Sequence, residues 1–410
     1  MFGEDVSVLS QRRRRALALL AALAALAAAA APPGALAQTG GASQMEGGGN
    51  SAFDRQGMWV WYVSRSEGGS VGAIIARAKR SDIGTVYVKS GDGGDYWSQF
   101  SRGLVQALHR AGLRVCAWQF VYGAAPVAEA RVGAAAVRRG ADCFAIDAES
   151  DYEGRYAAAD RYVRSLRARI GATFPVSLAT FPYVDYHPSF PYSVFFGPGG
   201  ATYNQPQMYW KTIGTSVREV FEHTYLHNRI WGHPIYPLGQ TYEAPGRASV
   251  KLFRRFAASH GGLAPSWWSW QETSGREWGA LGAEAALQPL TSYRQEIVHP
   301  LLRRGSRGDM VVWAQQHLVG AGAGLPLTGF FGRLTARAVR LFKEGHGLAA
   351  NGVIDTDTWN VLLTSTPYRA RWAARRARAG AWASQALPAS KPLSASLPAK
   401  AYEIPPGPRG

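Results

Sequence analysis

The chain has 410 residues, 47% hydrophobic and 18% charged, enough apolar material for two or three packed domains and too much for a wholly disordered chain. Lys and Arg outnumber Asp and Glu by 45 to 28, a formal charge of +17, and the 47 Gly and 23 Pro follow no three-residue period, which excludes a collagen. Two cysteines exclude a disulfide-dense scaffold and a cysteine-only zinc site, while 14 Trp and 18 Tyr suit packed cores or the floors of sugar or base sites.

The chain opens with a cationic block, Arg12 to Arg15, followed by residues 16–31, which are only Ala and Leu. Pro32, Pro33 and Gly34 break the run, and Ala35-Leu36-Ala37 supplies the small residues a signal peptidase reads. This order predicts a secretory signal peptide over residues 1–37, because the apolar run is shorter than the roughly 20 residues of a spanning helix. Residues 38–54, rich in Gly, Ser and Gln, read as a flexible spacer.

From residue 55 to 285, β-rich runs alternate with helical ones. Strands are expected at 59–63, 85–89, 114–121, 143–149, 175–181, 207–211, 234–238 and 266–270, with helices near 70–81, 98–111, 126–139, 154–169 and 248–259. Eight such units suit an α/β fold, a closed (β/α)8 TIM-like barrel. The first turn carries no Gly-x-Gly-x-x-Gly, so nothing supports a dinucleotide site, and no other cofactor is implied.

In such a barrel the chemistry sits where strands end. Phe144-Ala145-Ile146-Asp147-Ala148-Glu149 ends the fourth expected strand, and its two acids, two residues apart, point to one face with Cα atoms about 6.6 Å apart. Like charges in a buried wall are costly without a purpose, and they raise at least one pKa, which creates a general acid. Glycosidic hydrolysis needs such an acid and a second carboxylate. The alternative at this point is that Asp147 and Glu149 merely end the strand and cap the next helix. Polar and aromatic groups recur at the other strand ends: Trp61, Tyr62, Gln119, Tyr122, Asp185, Tyr209, Tyr242, Trp270, Gln271 and Glu272. Their repetition favours a carbohydrate groove, with Glu272 and Asp185 as reserve catalytic carboxylates. Lys89, Asp92, Gln207 and Trp268 sit near the same ends.

The strand order and the Asp147-Ala148-Glu149 element resemble the lysozyme-like muramidase barrels of glycoside hydrolase family 25, loosely, over residues 57–280. The Trp270-Gln271 pair is similar to that family's last strand. The resemblance implies Glu149 as proton donor and Asp147 as the group that stabilises developing positive charge or orients a substrate N-acetyl group. The chain departs from the family at the first strand, where Gly57-Met58-Trp59-Val60-Trp61-Tyr62 lacks the usual Asp. That departure leaves room for a hydrolase of another surface polysaccharide or a non-catalytic wall binder.

Cys116 and Cys143 begin neighbouring strands, and either a disulfide or two buried thiols fits. His223 and His227, four apart, share a helix face, but two imidazoles do not make a metal site, and no metal is expected. His187, near Asp185 in the chain, reads as a better active-site neighbour or else as a polar loop residue.

Residues 300–364 carry their own helical periods and predict a small three-helix domain. Gly305, Gly308, Val311, Gln315 and Leu318, then Phe331, Gly332, Thr335, Ala338, Val339 and Phe342, then Gly347, Leu348, Gly352, Ile354, Thr358 and Trp359 closely resemble the pattern of the bacterial three-helix peptidoglycan-binding domain. Lys343 stands where many relatives have Gln, and Arg333 and Asn351 are exposed candidates for ligand contact. Leu325-Pro326-Leu327-Thr328-Gly329 spells a sortase-type motif but reads as a turn, since a folded module follows it. The tail, residues 365–410, is basic and then rich in Pro and Ala. Together these features imply a secreted or periplasmic, wall-associated glycosidase. Its expected partner is peptidoglycan or a related envelope polysaccharide, with anionic envelope polymers against the basic tail and no nucleic acid.

Overall fold

The computed structural model describes residues 51–260, 264–282, 289–290 and 296–372. The expected signal peptide, most of the spacer and nearly all of the tail lie outside these residues.

The strands are β1 (Gly57–Val60), β2 (Thr85–Asp92), β3 (Asp95–Tyr96), β4 (Arg114–Val121), β5 (Cys143–Ala148), β6 (Val176–Thr180), β7 (Tyr203–Pro206), β8 (Leu238–Gln240) and β9 (Ser266–Trp268). Between and after them run α1 (Val71–Arg80), α2 (Arg102–Arg110), α3 (Pro126–Val137), α4 (Tyr156–Ile170), the short α5 (Tyr192–Phe195) and α6 (Trp210–Ile213), α7 (Val217–Asn228), α8 (Arg247–Ser259) and α9 (Gly275–Leu281). The eight parallel strands are ordered β7-β6-β5-β4-β2-β1-β9-β8, and the bridges Asn204–Ile235 and Gln207–Leu238 join the two ends into a nearly closed barrel. β3 is a short antiparallel appendage of β2.

Local signals explain the helices. Ser70 caps α1 through Ala73 N, Ser101 caps α2 through Leu104 N, and Ser216 with Glu219 forms a complete capping box on α7. α2 turns Leu104, Val105 and Leu108 inward, the helical spacing visible in the sequence.

Three strands lie elsewhere than expected, for backbone reasons. β1 stops at Val60 because Trp61 N and Val63 N are taken by the side-chain oxygens of Gln271 and Gln99 rather than by a neighbouring strand. β7 precedes the expected run: its Asn204 and Gln205 are buried polar residues, held by Asn228, Ser177 and Ser266, and the chain past Gln207 turns into α6. β8 begins only at Leu238, because Pro234 and Pro237 have no N–H to donate to a ladder.

Strand parity sorts the barrel wall. Trp59, Tyr87, Cys116, Trp118, Cys143, Ala145, Ala179 and Trp268 face the interior, whereas Val60, Val88, Ala117 and Phe144 face the helices. Cys116 and Cys143, paired in register with Cα atoms 4.6 Å apart, form a disulfide inside the barrel. Residues 51–54, the end of the expected spacer, make a turn instead. There Phe53 is buried against Tyr87, Tyr203 and Tyr236, with its ring 4.5 Å from that of Tyr203, and it closes the N-terminal end of the barrel. Burying that ring stabilises the fold by about 2 kcal/mol.

Beyond the barrel lie α10 (Asp309–Gly320), α11 (Arg333–Gly345) and α12 (Thr356–Leu362), the small three-helix unit. Trp359, Val339, Leu318 and Phe331 fill its core, and Gln315 holds the Thr328–Gly329 turn by accepting from both backbone amides. The sortase-like segment is therefore an internal turn. Lys343 is buried and donates to Asn351 Oδ1, Val353 O and Asp355 Oδ2 at 2.9, 3.1 and 3.0 Å. The Asn351 side chain thus serves the fold. The unit packs on the barrel side through Trp313 against Trp231 and through Asp309, whose carboxylate accepts from Ser193 N and Ser193 Oγ at 2.8 and 2.6 Å. Gly308 makes this approach possible: its φ is +111°, and a Cβ there would lie 2.8 Å from Pro188 O. Among the described residues no helix is long and apolar enough to cross a membrane.

Candidate active site

Asp147 is the penultimate residue of β5 and Glu149 follows its end, both at the C-terminal mouth of the barrel and both buried, at 2% and 6% exposure. Parity aims both inward, as their spacing requires. Gln207, just past β7, donates from one Nε2 to Asp147 Oδ1 at 3.1 Å and to Glu149 Oε1 at 2.9 Å. A single amide thus holds two carboxylates together. Burial, and next the Glu149 charge, push the Asp147 carboxyl well above the ordinary range, against the pull of Lys89 and Gln207.

Lys89 is the compensating cation. In a regular strand Lys89 and Asp92, three apart, would face opposite sides; the pairing of β2 with β4 slips between Lys89 and Gly91, and this bulge turns both toward the mouth. Gly91 permits it, since a Cβ there would lie 2.4 Å from Val132 Cγ1. Lys89 Nζ bonds Asp92 Oδ2 at 2.6 Å, and Asp92 Oδ1 accepts from Tyr122 Oη at 2.7 Å. The ammonium also lies 4.6, 4.5 and 4.9 Å from the ring centroids of Trp61, Trp97 and Trp118. Burial lowers its pKa, opposed by Asp92 and more weakly by Asp147.

An aromatic wall completes the mouth. Trp61, Trp118 and Trp268 pack with centroids 5.3–6.2 Å apart, and Tyr62 stacks on Trp61 at 5.8 Å. Across from them Tyr209 meets Tyr242 edge to face at 5.5 Å. The Tyr209 hydroxyl and the Trp61 indole N–H are buried with no hydrogen-bond partner among the described residues, and Tyr209 lies in the field of Asp147, Glu149 and Glu272. Such groups are donors for a polar ligand.

The structure therefore gathers Asp147, Glu149, Trp61, Tyr62, Tyr122, Tyr209, Tyr242 and Glu272, the last tied to Ser269 Oγ at 2.7 Å. Four candidates sit differently. Gln119 faces the helices, and its Nε2 donates to Gly93 O and Glu129 O. Trp270 is core, edge to face on Trp278. Gln271 supports the mouth indirectly by holding Trp61 N. Asp185 lies with His223 and His227, while His187 bonds Glu153 instead.

Gln207 and Lys89 were visible as strand-end residues, but their role as bridging donor and buried counter-charge was not. Trp97 and Trp118 were missed. The parity of Trp118 with Cys116 was the available signal for that residue; Trp97 lies in a loop, where no period applies.

A family model described as "Putative peptidoglycan binding domain" matches residues 307–362. A search of curated proteins returned no match. Among solved structures, the chain is similar to an endo-β-1,4-mannanase from Thermotoga petrophila, at 9% identity over 54% of this chain and 68% of that one, with a TM-score of 0.41. It is similar to a fungal endo-β-N-acetylglucosaminidase of glycosyl hydrolase family 18, at 13% identity over 55% and 94%, TM-score 0.40. It is also similar to a Toxoplasma gondii protein described as a "putative deoxyribose-phosphate aldolase", at 14% identity over 56% and 91%, TM-score 0.36. Such barrels host unrelated reactions, so the chemistry has to be argued from the site's own residues.

Proposed function

We propose that this chain is an exported cell-wall glycosidase that cuts the glycan strand of peptidoglycan in the manner of a muramidase. The observation that carries the reading is the buried Asp147–Glu149 pair, held by one amide beneath a wall of tryptophans. Like charges this close do not both ionise easily, and the Asp147 carboxyl is pushed well above the ordinary range, so the pair holds a proton more tightly than an isolated carboxyl does. Glu149, the less buried of the two, delivers that proton to the bridging oxygen of the scissile bond. Asp147, whose carboxyl burial and the Glu149 charge raise against the pull of Lys89 and Gln207, orients the substrate N-acetyl group. Water completes the hydrolysis. The partly exposed Trp61 and Tyr62 rings offer faces to a sugar, and Tyr209 and Tyr122 border the bed with hydroxyls.

The domain matched at residues 307–362 grips the wall and raises the effective substrate concentration at the barrel.

The test is mass spectrometry of soluble products from purified peptidoglycan treated with wild type and Glu149→Gln in parallel. Fragments ending in reducing N-acetylmuramic acid are expected from wild type and not from the variant. The absence of fragments from well-folded wild type would overturn the muramidase assignment, and equal activity of the variant would overturn the role of Glu149.

A further inference from the structure

Away from the carboxylate pair, the loop after β6 and the helix α7 bring together three metal-ligating side chains, one of them 38 and 42 residues before the other two in the chain. Asp185 stands in the turn Val184–Tyr186, and His223 and His227 sit one turn apart on α7. Residues four apart share a helix face, which is how pairs of imidazoles on a helix reach one ion. The His223 and His227 rings are stacked 4.5 Å apart, tilted by only 16°. Asp185 Oδ1 lies 2.7 Å from His223 Nε2 and 3.8 Å from His227 Nδ1. One ligand atom from each residue lies within 4.8 Å of the others, so a modest closing of the side chains brings them to the roughly 3.3 Å spacing around a tetrahedral zinc ion.

The arrangement is held from behind. Asn228, buried at the end of α7, donates from Nδ2 to Pro182 O at 2.8 Å and to Thr224 O at 2.9 Å, and so ties the loop to the helix beside the three ligands. The Tyr183 ring, itself buried, lies 4.0 Å from that of His223. The ligand side chains remain 33%, 26% and 24% exposed, so an ion can enter from solvent and keep a water in its fourth position.

We propose that Asp185, His223 and His227 form a binding site for a divalent transition ion of the zinc type, which clamps the loop after β6 to α7 at the rim of the barrel. Two imidazoles and one carboxylate match zinc better than calcium or magnesium, which take oxygen ligands. On binding, the proton shared between His223 Nε2 and Asp185 Oδ1 leaves to solvent, and both atoms bond the ion. The spacing of His223 and His227 alone gave no third ligand; the fold supplies it.

The test uses the full chain without a polyhistidine tag, stripped with EDTA and dialysed. Zinc chloride is titrated by calorimetry into wild type, His227→Gln, Asp185→Asn and the double variant His223→Gln/His227→Gln, with each melting curve checked for folding. One ion per chain with a micromolar dissociation constant is expected, weakened by at least about tenfold in each single variant, the scale on which even outer-shell losses act. Binding by wild type no tighter than by the double variant would overturn the site. Cobalt provides a readout on wild type alone. Intense visible absorption of a tetrahedral Co2+ ion is expected, and the weak spectrum of the hydrated ion would overturn the proposal even if a variant failed to fold. Neither measurement depends on glycosidase activity.

Discussion

Asp147 and Asp309 are both buried aspartates with raised pKa values, and their surroundings differ. Asp309, at the seam between barrel and helical unit, accepts from a backbone amide and a hydroxyl of Ser193, and among the described residues no carboxylate contests its charge. Asp147, at the barrel mouth, shares a single amide with a second buried carboxylate and depends on the charge of Lys89, with which it forms no direct bridge. Burial is the leading cause of the shift in both. At the seam the partners are donors, and the group reads as a fastening. At the mouth the second cause is a like charge, which only destabilises the fold unless chemistry uses it.

The largest expected effect separates the two on activity. Glu149→Gln and Asp147→Asn should each lower wall hydrolysis by roughly 10²–10⁴-fold, the usual weight of a positioned acid or its partner. Their melting temperatures should hold or rise, because each change relieves repulsion between buried like charges. A large drop in stability in both would mean that the pair is structural. Gln207→Leu should come next. It strips the one donor shared by both carboxylates, so the Asp147 carboxyl should titrate still higher and the pH profile of activity should move upward with it. At the seam the order reverses. Asp309→Ala should leave catalysis on short soluble glycans intact but cost about 1–3 kcal/mol in denaturant unfolding, because Ser193 N–H and Oγ–H lose their acceptor in a dry site.

How far each region was legible follows from the same physics. The acid pair could be read because a strand's period of two is strict, so Asp147 and Glu149 had to share a face once β5 was recognised. The seam could not. Asp309 lies in the sequence as an ordinary first-turn acid, and only the approach of Gly308 to Pro188 reveals its burial. Gln119 and Trp270 were misplaced because adjacency to a strand end says nothing about which wall a side chain faces. Lys89 and Asp92 defeated the period itself, since the bulge at Ser90 reverses parity in a way no single-strand pattern discloses. Asp185 was sent to the wrong cluster because a residue in the loop after β6 has no period, and its partners lie on α7.

The smallest effect is a slope with pH. Burial raises the Asp309 carboxyl to about 7 in the folded protein, partly offset by its bonds to Ser193, from the ordinary aspartate value of 3.8. The folded state therefore holds this proton more tightly than the unfolded chain does. Its contribution to stability is full below about pH 4, falls as pH rises, and is gone once pH has passed through about 7. Asp309→Asn keeps the shape and one acceptor but cannot titrate. Urea unfolding of wild type should weaken between about pH 4 and 7 relative to this variant, and the difference should be flat above that window. Parallel curves for the two proteins across the window would show that the seam carboxylate ionises as freely as an exposed one. The contrast with Asp147 would then rest on the mouth alone.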